Sequence, residues 1–301
     1  MKTEDLRAFD AVVRHGSISE AARAMSLTQP AITRRVQNLE EDLGVLLLDR
    51  TTKPPRPSTV GLRVHEQTKV ALRELDALSN LVAADAEPSG VLRLGLTHSM
   101  GSPRLIDVLR GMKEGFPEVT LQISTDWSAA LVERVGQGRL DAATVFLTPN
   151  ALVPEGLSMQ WLASTEVVLV AAKGRFRNLA GRFQDYAEAG LILNPEGCGF
   201  RKALQRKLSD IGAPFQLNLE TYGSEIQLGL VAADMGIGFV PRTALETSRY
   251  LQALDVLTPH DFRHVVDVRL VGPAFHGNLL KAVQYFGDAI AASFQMGAPA
   301  V

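Results

Sequence analysis

Residues 17–44, SISEAARAMSLTQPAITRRVQNLEEDLG, leave the backbone few choices. Ser17 and Glu20 have the S-x-x-E spacing of a capping box, so a helix begins there just after Gly16 stops the preceding one. That helix, roughly residues 19 to 25, presents Ala21, Ala22 and Ala24, which permit close helix approach. After a turn at Ser26 and Leu27, Thr28 is placed to cap a second helix. Pro30 falls in its first turn, where the missing N–H is not needed, so the proline starts this helix rather than breaking it. Ile32, Val36 and Leu39 supply a buried stripe, Gln29, Thr33, Arg34 and Arg35 lie towards the other side, and Gly44 ends the helix. Upstream, Leu6, Phe9, Val12 and Val13 recur at helical spacing.

Charge in this region is sorted by position. Between residues 21 and 39 the charged side chains are Arg23, Arg34 and Arg35, and between 50 and 63 they are Arg50, Lys53, Arg56 and Arg63. The acids Glu40, Glu41, Asp42 and Asp49 lie between the two clusters. A chain of formal net charge -2 can thus present a basic face, and phosphate contact needs the face rather than the total. A short helix, a tight turn and a helix with a polar start match helix-turn-helix docking. Gln29 suits an adenine edge and Arg34 a guanine edge. VLLLDRTTKPPRPS reads as a strand, a Pro-stiffened loop and a return, a wing that places Arg50 and Lys53 for backbone phosphates. From spacing alone, two readings stand: a device for entering a DNA groove, or one corner of a helical bundle.

A helix from Ser58 to about residue 86 follows, with EPSG as its stop. Ala71, Leu75, Leu78 and Val82 recur at 4-3-4 spacing, a short coiled-coil seam suited to dimerisation; packing onto its own domain is the alternative. Beyond it, VLRLGL, VTLQIS and AATVFL alternate with helical patterns, and TEVVLVAA, LILN, FQLNLETY and GIGFVP form a second set. Such alternation predicts parallel sheets flanked by helices, in two lobes. Helix N-termini after Thr97-His98-Ser99, at Trp127-Ser128, at Gly197-Cys198-Gly199 and after Gly223-Ser224 would face the cleft between the lobes, a favourable place for a small anion.

Length, 301 residues, exceeds what one core usually organises. With 46% hydrophobic and 21% charged residues the chain is a folded one. Its one cysteine, Cys198, excludes an intrachain disulfide framework and a Cys-rich zinc site and fits a reducing compartment. The charged N-terminus lacks a signal-peptide core and no apolar run reaches membrane-spanning length, so a cytoplasmic location without membrane association is expected. No catalytic group is assigned. His98 beside Ser99 is adjacency, not a triad, and no P-loop, HExxH or GxSxG pattern occurs. Cys198 at a helix start could be a nucleophile or redox switch, but it reads better as a small buried or cleft-lining residue. Neither cofactor nor metal is expected.

These residues resemble the LysR-type transcriptional regulators. GSISEAARAMSLTQPAITRRVQNLEEDLGVLLLDR is similar to that family's N-terminal signature, and STVG, FPEV, GRLDAA and LVAADMGIGFVPR extend the likeness over nearly the whole chain. The resemblance implies a multidomain fold: a mainly α winged helix-turn-helix (1–58), a long linker and dimerisation helix (59–88), and an α/β two-lobed effector domain of the periplasmic-binding-protein-like type 2 (89–301). Lobe I takes about 89–147 and 268–301, lobe II about 148–267. It implies a homodimer or homotetramer that binds double-stranded promoter DNA and a small, anionic effector and works on RNA polymerase. Thr28, Gln29, Pro30, Thr33, Arg34 and Arg35 fall on the DNA-contacting helix, and Arg50 and Lys53 on the wing. Thr97, His98, Ser99, Ser128, Phe146, Cys198, Gly199, Phe200, Ser224 and Glu225 fall on the effector loops. His98 could meet a carboxylate ligand or a backbone carbonyl. Leu48, Pro57 and the D-M-G at 234–236 depart from the family pattern. A cytosolic sensor whose helix-turn-helix makes protein contacts is the alternative function.

Overall fold

The computed structural model describes residues 1–81, 87–100, 103–152, 154–274 and 277–295, and the chain divides into two compact units, Met1–Ala84 and Asp85–Val301. The N-terminal unit runs α1 (Thr3–His15), α2 (Ile18–Ala24), α3 (Gln29–Leu43), β1 (Leu48–Asp49), β2 (Arg56–Pro57) and α4 (Thr59–Leu81). Phe9, Val12, Ala21, Ile32, Val36, Leu39, Leu47 and Leu72 form its core. Gly16 and Gly44 close α1 and α3 in the left-handed conformation that glycine adopts without steric penalty. Only half of the expected capping box forms. Ser17 Oγ accepts the Glu20 N–H at 3.5 Å, whereas the Glu20 carboxylate pairs with Arg23. Ser26 turns the chain between α2 and α3 at φ 55°, while the Leu27 N–H donates to the Ala22 carbonyl.

α4 is not a free-standing linker over the described residues. Ser58 Oγ caps it by accepting the Gly61 N–H at 2.9 Å. Gly61 lies against the Leu47 carbonyl, where a side chain would collide. His65 Nε2 meets Asp10 Oδ1 at 2.9 Å, and Leu72 is buried in the core. A flanking face, with Ala71, Leu75 and Leu78, is exposed. Val82 and the expected continuation to residue 86 lie outside the described residues.

The C-terminal unit contains β3 (Gly90–Thr97), α5 (Pro103–Gly115), β4 (Val119–Asp126), α6 (Ser128–Gly136), β5 (Ala142–Leu147), β6 (Leu157–Ala172), β7 (Leu191–Leu193), α7 (Gly199–Asp210), β8 (Leu217–Glu220), α8 (Ser224–Ala232), β9 (Ile237–Pro241), α9 (Arg242–Glu246), β10 (Leu254–Leu257), β11 (His264–Pro273) and α10 (Leu280–Gln295). β3 is parallel to β4 and β5, and β7 is parallel to β8 and β9, as the alternation predicts. The two lobes are nevertheless not separate parallel sheets. β11 runs antiparallel to both β5 and β6, and β6 antiparallel to β9 and β10, so all nine strands of the unit join one mixed sheet.

The reason is length. At ~3.3 Å per residue, the 16-residue β6 is long enough to serve both lobes. Leu157–Ala163 pairs with Val268–Pro273 beside β5, and from Ser164 onward β6 pairs with His264–Asp267. Leu157 and Met159 pack with Leu131 and Val135 of α6. The chain thus passes from one half of the sheet to the other within β6, near residue 163. A register shift between Val268 and Arg269 marks the same level in β11.

Candidate nucleic-acid interface and effector cleft

Rotation of α3 is fixed by its apolar stripe, since Ile32, Val36 and Leu39 are at most 1% exposed. That leaves Gln29, Pro30 and Arg34 exposed and Thr33 half-buried on the free side. Thr28 Oγ1 accepts the Ala31 N–H at 3.4 Å, which fixes the entry of the chain into the helix. Arg35 is half-buried, 3.8 Å from Glu4, so it is less available than Arg34. Pro30 removes a donor from a first turn whose amides already lack helical partners.

The wing is folded by its hydroxyl groups. Asp49 Oδ1 accepts from the Thr51 N–H at 2.9 Å and from Thr51 Oγ1 at 2.6 Å. These bonds to Thr51 hold the exposed Asp49 carboxyl below its ordinary pKa. Thr52 Oγ1 accepts the Arg56 N–H at 3.1 Å. Lys53 and Arg56 are exposed. Arg50, expected to be free for phosphate, instead donates to Glu40 Oε2 at 2.8 Å. Glu40, which the charge pattern alone gives no role, is buried and organises the wing. Its Oε1 also accepts the Leu47 and Leu48 N–H groups at 2.8 and 3.1 Å. The signal was present: residue 40 continues the 32–36 face of the helix, so an acid there must turn inward and find donors.

In the second unit, three helix starts converge on Trp127. This residue is the N-cap of α6. Its ring stacks on Tyr222 at 6.0 Å between centroids, and Tyr222 precedes Gly223, the N-cap of α8. Trp127 also packs on the bare Cα of Gly197, next to Cys198, the N-cap of α7. His98 is edge-on to both rings, 4.6 Å from Trp127 and 5.2 Å from Tyr222. His98 is thus one wall of an aromatic cluster that joins the lobes. Phe146 of β5 meets Phe200 of α7 across the same divide at 5.4 Å.

Thr97 and Ser224 are buried, and among the described residues their hydroxyl oxygens have no hydrogen-bond partner. Ser99 is buried, and Ser128 Oγ accepts the Phe146 N–H at 3.1 Å, tying the start of α6 to β5. Glu225 does not join this group, because its carboxylate is taken by Arg249 at 3.0 Å. Gly199 is exposed, whereas Cys198 is buried. Burial pushes the Cys198 thiol above its ordinary pKa, against backbone and side-chain hydrogen bonds that act the other way. A thiol held protonated is a poor nucleophile. Tyr222 escaped sequence reasoning, and Trp127 and Gly197, read there as parts of helix starts, were not read as touching each other, because these contacts are set by the sheet and not by any local period. Among the described residues, no group of His, Cys, Asp and Glu is arranged to hold a metal, and no helix is long and apolar enough to cross a membrane.

A winged helix-turn-helix with an exposed recognition turn, carried in one chain with a two-lobed α/β ligand domain, defines the class of ligand-responsive transcription regulators. The family described as Bacterial regulatory helix-turn-helix protein, lysR family, matches residues 3–62, and LysR substrate binding domain matches residues 85–291. The chain belongs to the LysR family and is a LysR-type transcriptional regulator with a helix-turn-helix and an effector-binding domain. The HTH-type transcriptional regulator YofA of Bacillus subtilis (strain 168) is 27% identical over 250 residues, 83% of this chain and 85% of that protein. A full-length OxyR variant from Pseudomonas aeruginosa shares the fold with a TM-score of 0.72 at 19% identity, covering 96% of this chain and 94% of the other. Full-length CbnR complexed with its target DNA shares it with a TM-score of 0.63 at 20% identity, covering 97% of this chain and 100% of that one.

Proposed function

We propose that this regulator binds operator DNA sequence-specifically as a homo-oligomer, that a small organic anion between its two lobes sets its activity, and that RNA polymerase is the partner through which it acts. One observation carries the DNA reading: the apolar stripe of α3 is locked inside, and the capped first turn presents Gln29, Pro30 and Arg34 outward, with Thr33 half-exposed beside them. In this reading Gln29 and Arg34 read base edges, Thr33 and the first-turn amides contact phosphate, and Lys53 reaches phosphate from the wing. Arg50 acts mainly by holding the wing in place, with its 47% exposed side chain left at the rim of the interface, and Arg35 is secondary. The exposed Ala71, Leu75 and Leu78 face of α4 is the dimerisation seam.

For the effector, the support is the convergence of the α6, α7 and α8 N-termini, whose dipoles favour an anion. Thr97 and Ser224 offer hydroxyls from opposite lobes that have no partner among the described residues, and Phe146 and Phe200 an apolar wall. The mechanism is population shift: a ligand that contacts both lobes favours one lobe arrangement, and the paired DNA-binding heads respond. A salt titration of the purified protein on its own upstream intergenic DNA, against scrambled DNA, tests the reading. Selective binding that weakens steeply with salt, by about 0.9 in log K per log salt for each phosphate contact, is expected. Equal and weak binding to both sequences overturns it for that operator and for this helix.

A further inference from the structure

A pocket of about 280 Å³, half open to solvent, lies within lobe II between the C-terminal half of β6 (Glu166 to Leu169), Phe239 of β9, Arg242 at the start of α9 and the loop that joins β10 to β11. It is separate from the interlobe cleft. Of the residues assigned to the effector above, none lines it. Its floor is apolar, made by Leu169, Phe239, Leu257 and Phe262. Its rim is charged in an unbalanced way. Glu166 Oε2 accepts from Arg242 Nη2 at 2.7 Å, and Glu166 Oε1 accepts from Arg263 Nε at 3.2 Å. Two guanidinium groups thus share one carboxylate and leave a net positive charge over an apolar floor.

We propose that this cavity is a second ligand site, which takes a small amphipathic carboxylate. The apolar body, a single ring or a short chain, rests on Phe239, Phe262 and Leu257. The carboxylate accepts from Arg242 and Arg263, each of which has donors beyond the one that Glu166 uses. The pocket, of about 280 Å³, has room for a single ring or a short chain. The floor also connects to the cleft. Phe262 lies 5.7 Å from Phe239, Phe239 6.5 Å from Phe200, and Phe200 5.4 Å from Phe146 of lobe I. A ligand that presses on Phe239 therefore acts on the ring contact between the lobes, and this second site modulates the first.

Calorimetric titration of the full-length protein with benzoate, hexanoate and the neutral isostere benzamide tests the assignment. Saturable binding of the acids at millimolar concentration, and none of benzamide, is expected. Arg263→Gln, at a side chain that is 76% exposed, should weaken the acids by about tenfold or more with thermal unfolding unchanged. The Thr97→Val, Ser224→Ala double variant should leave that binding intact. Unchanged affinity in Arg263→Gln overturns the proposal, as does loss of binding in the double variant, which would move the acid into the interlobe cleft. Failure of both acids to bind the wild-type protein overturns it too. None of these outcomes bears on the DNA reading, which the salt titration judges separately.

Discussion

Glu40 and Arg50 are joined by a 2.8 Å charge-assisted hydrogen bond from Arg50 Nη2 to Glu40 Oε2, and the carboxylate that anchors it is only 5% exposed. The same Glu40 side chain accepts the Leu47 and Leu48 N–H groups, so one residue on α3 fixes the first strand of the wing. Glu40→Ala leaves two amides and a guanidinium without their acceptor. It should destabilise the N-terminal unit by about 2–4 kcal/mol, read by chemical denaturation. Glu40→Gln should cost less, since its amide oxygen still accepts. A loss below about 0.5 kcal/mol for Glu40→Ala would show that the wing is held by other contacts.

The recognition turn gives a prediction with the opposite signature. Gln29→Ala and Arg34→Ala alter exposed side chains, so unfolding should be unaffected. Each should reduce discrimination between operator and scrambled DNA by about 1–3 kcal/mol in a competition assay. Full specificity retained in both variants would mean that another element reads the bases.

Leu78 is 61% exposed and Leu75 38% exposed on α4. Leu78→Glu should lower the oligomeric state seen by sedimentation, because it places like charges across a paired seam. An unchanged oligomer would assign self-association to another surface.

Gly197 sits at φ +98° against Trp127. Gly197→Ala adds a methyl group where the indole lies, in a backbone conformation that alanine rarely adopts. A destabilisation of about 1–3 kcal/mol is expected for the effector domain, together with a shift in Trp127 emission. The chain has two tryptophans, so a Trp161→Phe background makes the emission specific. An unchanged spectrum and unchanged stability would show that the lobes do not meet at this point in solution.

His264 packs edge-on to Phe200 and near Phe239, and burial pushes its imidazole below the ordinary value of 6.5. In the window between the depressed pKa and 6.5, the unfolded chain binds more protons than the native one, so stability rises with pH there. Acidification from about pH 7.5 to about pH 5.5 should therefore weaken the effector domain, and His264→Phe should flatten that part of the profile. A slope equal in wild type and variant would place the titrating group elsewhere.

The amino-acid sequence by itself determined the elements that depend on neighbours within a turn or two. Ser17, Thr28 and Ser58 accept from their helices because a hydroxyl three residues before a free N–H has one good partner within reach. The Ile32, Val36 and Leu39 stripe sets the rotation of α3, and with it the exposure of Gln29 and Arg34, through the helical period alone. The parallel strand sets were legible from their alternation with helices. Tertiary structure decided what joins distant segments. It turned Arg50 back onto Glu40, made one sheet from two lobes through the long β6, sent Glu225 to Arg249 rather than the cleft, and brought His98, Trp127 and Tyr222 together. Those contacts depend on the register and twist of the nine-stranded sheet, and no side chain carries that information in its local spacing.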